Sequence, residues 1–258
     1  MTDYHIVKFP RTRIATFDIG SISKTKHNIS ALIEVDVTDA RRKIKEMRQE
    51  RGKLSFTAYL IKSIADTMKK HSTVGGYLKG KRKLLVFEHV SISIVVEKYI
   101  EGRRVPIPMI IEKAEEKSAF EISAEIESAK NKLMTSHDIV LHKKSERMEG
   151  LYYSLPGLLR RMVWKFLLNN PKLAYKSMGN AILTSVGMMG KINGWFLPTT
   201  IHPVSFGISS ITLKPRIIKN KILPRDILNM TIVMDHNVID GADMARFVVE
   251  LVKTIENG

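Results

Sequence analysis

The sequence predicts one α+β domain, a two-layer α/β sandwich in which a large mixed sheet is flanked by helices. Strand-like and helix-like segments follow one another along the chain. The 258 residues, 44% of them hydrophobic, are enough to bury a sizeable core. No internal repeat or low-complexity linker divides them, so we interpret 1–258 as a single domain.

Strand and helix patterns alternate through the first half of the chain. Apolar runs and alternating segments predict strands at 29–37, 84–87 and 90–96. Helical apolar stripes predict helices at 39–51, 54–70 and 118–133. Ser118 and Glu121 form a capping-box pattern at the start of the third helix. Residues 102–108 are predicted to be a loop leading into an edge segment, because Pro106 and Pro108 cannot donate to a strand ladder.

The second half begins with a basic segment, about 135–178, which we interpret as a helical insert. Apolar residues at helical spacing predict an amphipathic helix in it: Leu155, Leu158, Leu159, Met162, Val163, Phe166 and Leu167. Such a helix can pack on its own domain, contact a neighbouring subunit or lie on a membrane surface. Packing against protein is the more common arrangement.

After this segment the chain returns to strand-like runs. Turns are expected near 187–190 and at Pro203, and a closing helix is expected at 246–255. The strand candidates are 204–213, 217–223 and 230–234.

Composition excludes several classes of site. The chain has no cysteine, which rules out disulfides, thiolate zinc sites, iron–sulfur clusters and a cysteine nucleophile. No apolar run reaches the length of a membrane span, and the charged first residues do not form a secretory signal, so we expect a cytoplasmic protein without a membrane span.

The net charge of +16 and the pI near 9.9 favour a polyanionic partner or a generally basic surface. Aromatic content is 7%, and neither finger spacings nor an aromatic RNA-binding pattern occurs, so nucleic acid is not the favoured partner.

His236 is the histidine with the clearest chemical context. It lies at the end of a predicted strand in the pattern His-x-x-x-Asp-Gly, with Asp240 four residues later. A histidine held there can accept and return a proton near neutral pH. The spacing alone is weak evidence, because Asp-Gly is also an ordinary turn.

The residues around His236 carry a family resemblance. Residues 235–251 (DHNVIDGADMARFVVEL) resemble the Asp-His-Arg-x-x-Asp-Gly signature and following helix of the catalytic domain of 2-oxoacid dehydrogenase acyltransferases, the dihydrolipoyl acyltransferases. Further blocks are similar to that family in the same order, namely 29–41, 53–65, 105–122, and 184–190 with 201–203. The similar segments cover most of 10–134 and 180–256, which is far more specific than one motif.

The resemblance implies a fold and a mechanism. The fold is that of chloramphenicol acetyltransferase, assembled as trimers with active sites between subunits. In the mechanism, a histidine acts as general base on a thiol, which attacks a thioester while a hydroxyl donates to the oxyanion. By position, His236 is implied as the base, Asp240 as the bracing carboxylate and Thr184 as the hydroxyl donor. Arg11 and Arg13 are both candidates to pair with Asp240.

The same resemblance implies the substrates and partners. Coenzyme A is expected as the acyl-CoA substrate, at residues that the sequence does not assign, and no metal is expected. The acyl acceptor is expected to be a thiol such as dihydrolipoamide on a separate lipoyl-domain protein, or a hydroxyl or amine. The chain itself is expected to form a homotrimer or a larger trimer-based assembly.

Two departures from the family pattern keep alternatives open. Asn237 stands where the motif usually has arginine, and the printed sequence has no lipoyl domain or Ala/Pro-rich linker, so we expect a stand-alone catalytic domain. One alternative is a non-catalytic trimeric scaffold of a 2-oxoacid dehydrogenase-type complex. The other is a protein that binds an anionic surface through 155–176.

Overall fold

The computed structural model describes residues 2–7, 9, 13–100, 103–131, 152–187, 190 and 192–257. The helices are α1 (Arg13–Ser23), α2 (Thr38–Arg51), α3 (Phe56–Lys70), α4 (Ala119–Asn131), α5 (Gly157–Asn169), α6 (Pro171–Met178) and α7 (Gly241–Asn257). The strands are β1 (Asn28–Asp36), β2 (Tyr77–Lys79), β3 (Lys83–Leu85), β4 (Ile92–Ile100), β5 (Arg103–Ile111), β6 (Ala181–Ser185), β7 (Val204–Ile218) and β8 (Lys221–Asp235).

Six strands form one mixed sheet in the order β1-β8-β7-β6-β4-β5. The pairs β4–β6 and β6–β7 are parallel, and the other neighbours are antiparallel. Strands β2 and β3 form a separate small hairpin. The predicted α+β class with a mixed sheet is therefore confirmed.

The main core lies between this sheet and helices α3, α4 and α7. Alternate residues of the strands, such as Phe206 and Met230, meet fully buried residues of the helices, such as Ile61 and Phe247. Burial of such side chains contributes about 1.5–3 kcal/mol each. One sheet face is thus committed to the core, and the opposite face is left for other contacts.

The segment 192–200 covers part of that opposite face. The Trp195 indole donates to the carbonyl oxygen of Ile33 at 2.8 Å. Phe196 and Pro198 pack so closely over Gly207 that a Cβ at this position would lie 3.2 Å from both. The absence of a side chain at Gly207 therefore allows the segment to lie directly on the sheet.

Most predicted elements are present, and the differences have local causes. The strand predicted at 217–223 is wrong, because Lys219 and Asn220 adopt positive φ and form the tight turn that joins β7 to β8. The loop predicted at 102–108 is already strand from Arg103, although its prolines do lie on an edge strand. The strand predicted at 84–87 extends too far, because β3 ends at Leu85.

The capping box at the start of α4 is confirmed. The Ser118 N–H donates to Glu121 Oε2 at 2.7 Å, and the Glu121 N–H donates to Ser118 Oγ at 3.2 Å. The first part of the basic segment, 135–151, lies outside the described residues. Among the described helices, none is long and apolar enough to cross a membrane.

Candidate active site

His236 follows the last residue of β8, at the end of the sheet where β8 pairs with the start of β1. Asp235 is opposite Asn28 in the register. The backbone N–H of His236 donates to the carbonyl oxygen of His27 at 2.6 Å, which continues the pairing by one residue. The imidazole is exposed. The strand end therefore fixes the backbone of His236 and leaves its ring accessible to a substrate.

Hydrogen bonds on both sides hold the His236 turn. Asp235 Oδ1 accepts from the backbone N–H of Asn237 at 3.1 Å and from its side-chain amide at 2.8 Å. Asn237 Oδ1 lies 3.0 Å from the Nδ1 atom of His27 on the neighbouring strand segment. Asn237 thus links the turn to both strands, a role that the motif alone does not reveal.

Lys26 completes the support of Asp235. Its Nζ lies 3.4 Å from Asp235 Oδ2 and donates to the carbonyl oxygen of His202 at 3.2 Å. Burial lowers the pKa of Lys26, and the nearby Asp235 carboxylate opposes that shift. The Asp235 charge is therefore compensated within the chain, which favours one fixed orientation of the turn.

Asp240 caps the N-terminus of α7. Its Oδ1 accepts from the N–H groups of Ala242 and Asp243, both at 2.9 Å. The Asp243 N–H hydrogen bond is the main cause of a lowered pKa at Asp240, with smaller contributions from Arg246 and His236. Asp240 therefore carries a negative charge at neutral pH on the last turn before α7.

The predicted partner arginines of Asp240 are not brought to it in the described part of the chain. Arg13 lies in α1, and no described hydrogen bond or ion pair joins it to Asp240. Arg11 lies outside the described residues. Within one chain, the described hydrogen bonds of the Asp240 carboxylate are those that cap α7.

Thr184 lies on β6, on the sheet face opposite the main core. It is opposite Gly207 on β7, which is in turn opposite Thr231 on β8. Two strand spacings and the five residues from Thr231 to His236 place Thr184 on the order of 15–20 Å from His236 of the same chain. The two predicted site residues do not meet within one copy.

The face around Thr184 is unusually polar for a buried surface. Several of its side-chain atoms are buried without a hydrogen-bond partner among the described residues: Ser205 Oγ, Ser209 Oγ, Asn229 Oδ1 and Thr231 Oγ1. Sequence reasoning did not single out these residues. The signal was available in the alternation of small polar with apolar residues along β7 and β8.

A basic pocket lies near the other end of β8. Its volume is about 530 Å³, with the apolar residues Ile44, Phe56 and Ile211 in its lining. Four cationic side chains of α2 also line it: Arg41, Arg42, Lys45 and Arg48. Asp226, another lining residue, is nine residues from Asp235, so the pocket is about 30 Å from His236 of the same chain.

One group of described residues has the side chains of a metal site. Ligand atoms of His89, Glu115 and Glu116 lie within 4.8 Å of one another. The carboxylate of Glu115 is already engaged, since it accepts from the Val90 N–H at 3.0 Å and lies 3.8 Å from Lys69 Nζ. A neighbouring ammonium group disfavours a cation there.

The mixed sheet flanked by helices is the fold of chloramphenicol acetyltransferase. Chloramphenicol acetyltransferase itself superposes with a TM-score of 0.53 at 9% identity, covering 96% of each chain. The sequence model described as 2-oxoacid dehydrogenases acyltransferase (catalytic domain) matches residues 5–138 and 169–258. The chain belongs to this family of acyltransferase catalytic domains, which confirms the resemblance drawn from its motifs.

Individual relatives agree with this assignment. The dihydrolipoyllysine-residue acetyltransferase component of the pyruvate dehydrogenase complex of Staphylococcus epidermidis is 27% identical over 242 residues, covering 91% of this chain. That match covers 47% of the relative, so the chain spans about half the length of this curated relative.

Two solved structures share the fold over 98% of this chain, each with a TM-score of 0.69. One is a probable dihydrolipoamide acetyltransferase from Listeria monocytogenes, at 20% identity and 95% coverage of that chain. The other is the cubic core of the pyruvate dehydrogenase multienzyme complex, at 17% identity and 92% coverage.

Proposed function

We propose that this protein is a CoA-dependent acyltransferase in which His236 is the general base. The observation that carries the proposal is the position of His236, exposed at a strand end whose backbone and flanking residues are fixed, in a chain of this family. The acyl donor is an acyl-CoA thioester. The acceptor is a thiol such as dihydrolipoamide, which by its chemistry supplies the nucleophile that a chain without cysteine lacks.

The proposed reaction is an exchange of thioesters. The imidazole of His236 takes the proton of the acceptor thiol, and the sulfur attacks the carbonyl carbon of acyl-CoA. The hydroxyl of Thr184 donates to the oxygen that becomes negative in the tetrahedral intermediate. The carbon–sulfur bond to CoA then breaks, and the CoA thiolate takes the proton back from the imidazolium. Asp240 and Asn237 act as positioning residues for the turn that carries His236.

The proposed site forms between two copies of the chain. Thr184 and His236 are too far apart in one copy for both to contact the same carbonyl group, as their separation on the order of 15–20 Å indicates. Thr184 is half-buried, and a neighbouring copy that places its His236 beside the hydroxyl group of Thr184 would bring them together. The relation of this fold to the core of the pyruvate dehydrogenase complex supports a trimer-based assembly.

The basic α2 pocket is our candidate for the phosphates of CoA. Arg42 and Lys45 are exposed at its rim, and phosphate groups bind arginine and lysine by charge-assisted hydrogen bonds. Because the pocket is about 30 Å from His236 of the same chain, it would serve the histidine of a neighbouring copy. Arg42→Glu should raise KM for acyl-CoA, whereas Lys253→Glu on the exposed side of α7 should not.

We further propose that 1–258 works as one catalytic domain with the basic segment 135–178 as an insert. The family match skips 139–168, which lies inside that segment. The acyl-carrying partner that fits the proposal is a lipoyl-bearing protein, and an acidic one would complement the net charge of +16.

The test is acyl transfer to dihydrolipoamide from acetyl-, propionyl- and branched-chain acyl-CoA. His236→Ala should lower kcat by about 10²–10⁴, the usual contribution of a general base. His5→Ala removes an exposed histidine elsewhere and should leave kcat unchanged. Size measurements on each protein should show equal assembly. A properly assembled protein that transfers none of these acyl groups contradicts the proposal and favours the non-catalytic scaffold. Acyl transfer that is unaffected by His236→Ala contradicts the role of His236 as the base.

A further inference from the structure

Helix α5 presents an apolar face to solvent. Five side chains on it have exposed fractions from 43% to 65%: Leu158, Leu159, Met162, Val163 and Phe166. We call these five residues the α5 surface. The amphipathic pattern left open whether these residues pack on their own domain. In the described part of the chain they are exposed.

The opposite side of α5 is the side that packs on the protein. Trp164, Leu167 and Leu168 pack against a small cluster that contains Ile22 and Met178. Arg160 Nε donates to Asp18 Oδ2 at 2.7 Å. The helix is therefore held in one orientation, and exposure of the α5 surface is a consequence of its docking.

The α5 surface is continuous and has a basic border. At about 100° per residue its five side chains fall within an arc of about 140°. Arg161 and Lys165 lie just beyond one edge of that arc, and both are exposed. A groove of about 230 Å³ follows at the end of the helix, lined by Phe166 and Leu173 together with Lys79 and Lys172.

The charge around this surface has one sign. Residues 152–178 contain five basic residues and no acidic residue. No ion pair of Arg161, Lys165, Lys172 or Lys176 is found within the described ranges. A second copy that docked through the same surface would bring these like charges together, which disfavours self-association.

We propose that the α5 surface binds a membrane that contains anionic lipids. Apolar side chains flanked by lysine and arginine are the features that let a helix lie in a lipid interface, with the apolar face among acyl chains and the cations at the headgroups. The lysines around the groove at the end of α5 are placed to contact headgroup phosphates. This binding does not depend on the proposed acyl transfer, because none of these residues belongs to that site.

The experiment is flotation of the full chain with lipid vesicles in a density gradient. One set of vesicles contains equal parts of phosphatidylcholine and phosphatidylglycerol, and the other contains phosphatidylcholine alone. The wild-type protein should float with the anionic vesicles and not with the neutral ones. Met162→Glu should weaken binding to anionic vesicles at least about tenfold.

Matched variants make the test specific. Val249 on α7 is 54% exposed, close to the 57% of Met162, so Val249→Glu adds the same charge at an equally exposed apolar position and should bind like wild type. The double change of Arg161 and Lys165 to Gln should weaken binding more than the same change of Lys219 and Lys221. Circular dichroism should show that each variant is folded.

Four results would overturn the proposal. The first is a wild-type protein that does not float with anionic vesicles. The second is equal binding by Met162→Glu and Val249→Glu. The third is a reduced oligomer size for Met162→Glu in sedimentation, which would show that a second copy covers the surface. The fourth is binding of an acidic protein and not of vesicles, which would show that the α5 surface binds a protein instead of lipid.

Discussion

Asp235 Oδ1 accepts two hydrogen bonds from Asn237, one from the backbone N–H at 3.1 Å and one from the side-chain amide at 2.8 Å. Both residues are immediate neighbours of His236. The arrangement closes a small ring around the histidine and connects it to His27 through Asn237 Oδ1. The residue that replaces the family's usual arginine therefore has a structural role in this chain.

Asn237→Ala tests that role. Alanine keeps the backbone N–H hydrogen bond and removes the side-chain bonds to Asp235 and His27. Their loss should lower kcat by up to about tenfold, with little change in KM, because a hydrogen bond contributes about 0.5–3 kcal/mol, more when one partner is charged. Steady-state acyl transfer measures both constants. Asn131→Ala is the control, since Asn131 makes only a local contact on α4. Equal kcat in both variants would contradict the positioning role.

Thr184→Val and Thr184→Ser test whether the hydroxyl group of Thr184 contributes to catalysis. Valine keeps the shape of threonine and removes the donor, so kcat should fall by about 10²–10³. Serine keeps the hydroxyl and should retain most of the activity. If valine were as active as serine, the oxyanion would be stabilised by another group, and the polar residues Ser205 and Thr231 on the same face would be the next to substitute.

Asp240 should stabilise the fold as a helix cap. Asp240→Ala should lower Tm by several degrees, whereas Asp240→Asn, which keeps a good N-cap, should lower it less. The pKa of Asp240 is lowered by the Asp243 N–H, so its charge adds stability above the pKa of an unfolded aspartate. That contribution is lost as pH falls below about 4. Thermal unfolding at neutral and acidic pH measures both effects; an equal Tm for wild type and Asp240→Ala at neutral pH would refute the capping role.

The sequence predicted the fold better than it predicted the geometry of the site. Periodicity located α3 and α7 because each buries a wide apolar stripe, and the motif located His236 because it is local in sequence. The hairpin at Lys219 was missed, because apolar residues continue through it at exposed positions such as Ile217 and Ile222. The separation of Thr184 from His236 depends on strand order, which no local pattern contains.

The exposure of the α5 surface could not be predicted for a related reason. An amphipathic pattern shows that a helix has two faces, but it does not show which face meets the domain. Here Arg160 binds the buried Asp18 carboxylate. Burial by itself would raise the pKa of Asp18, but the hydrogen bonds from Arg160 and Tyr152 lower it. This polar contact helps to select the docked face, and the apolar face remains outside.

His202 should make the stability of the protein depend on pH. It is almost fully buried, which disfavours the charged imidazolium, and its Nε2–H donates to the carbonyl oxygen of Met178 at 3.0 Å. Burial lowers the pKa of His202 from 6.5 to about 4, and the charge of Lys26 adds to the effect. Between these two values the unfolded chain binds a proton that the folded chain does not, so stability falls as pH falls through this window.

His202→Gln removes this proton and keeps an amide that can donate to Met178. The wild type should lose about 2 kcal/mol more unfolding free energy than the variant between pH 7 and pH 5. Urea unfolding at one fixed chain concentration measures the difference, because assembly would otherwise shift the apparent stability. His5→Gln, at an exposed position, should keep the wild-type pH dependence. Identical slopes for the wild type and His202→Gln would mean that folding does not lower the pKa of His202, which would contradict the prediction.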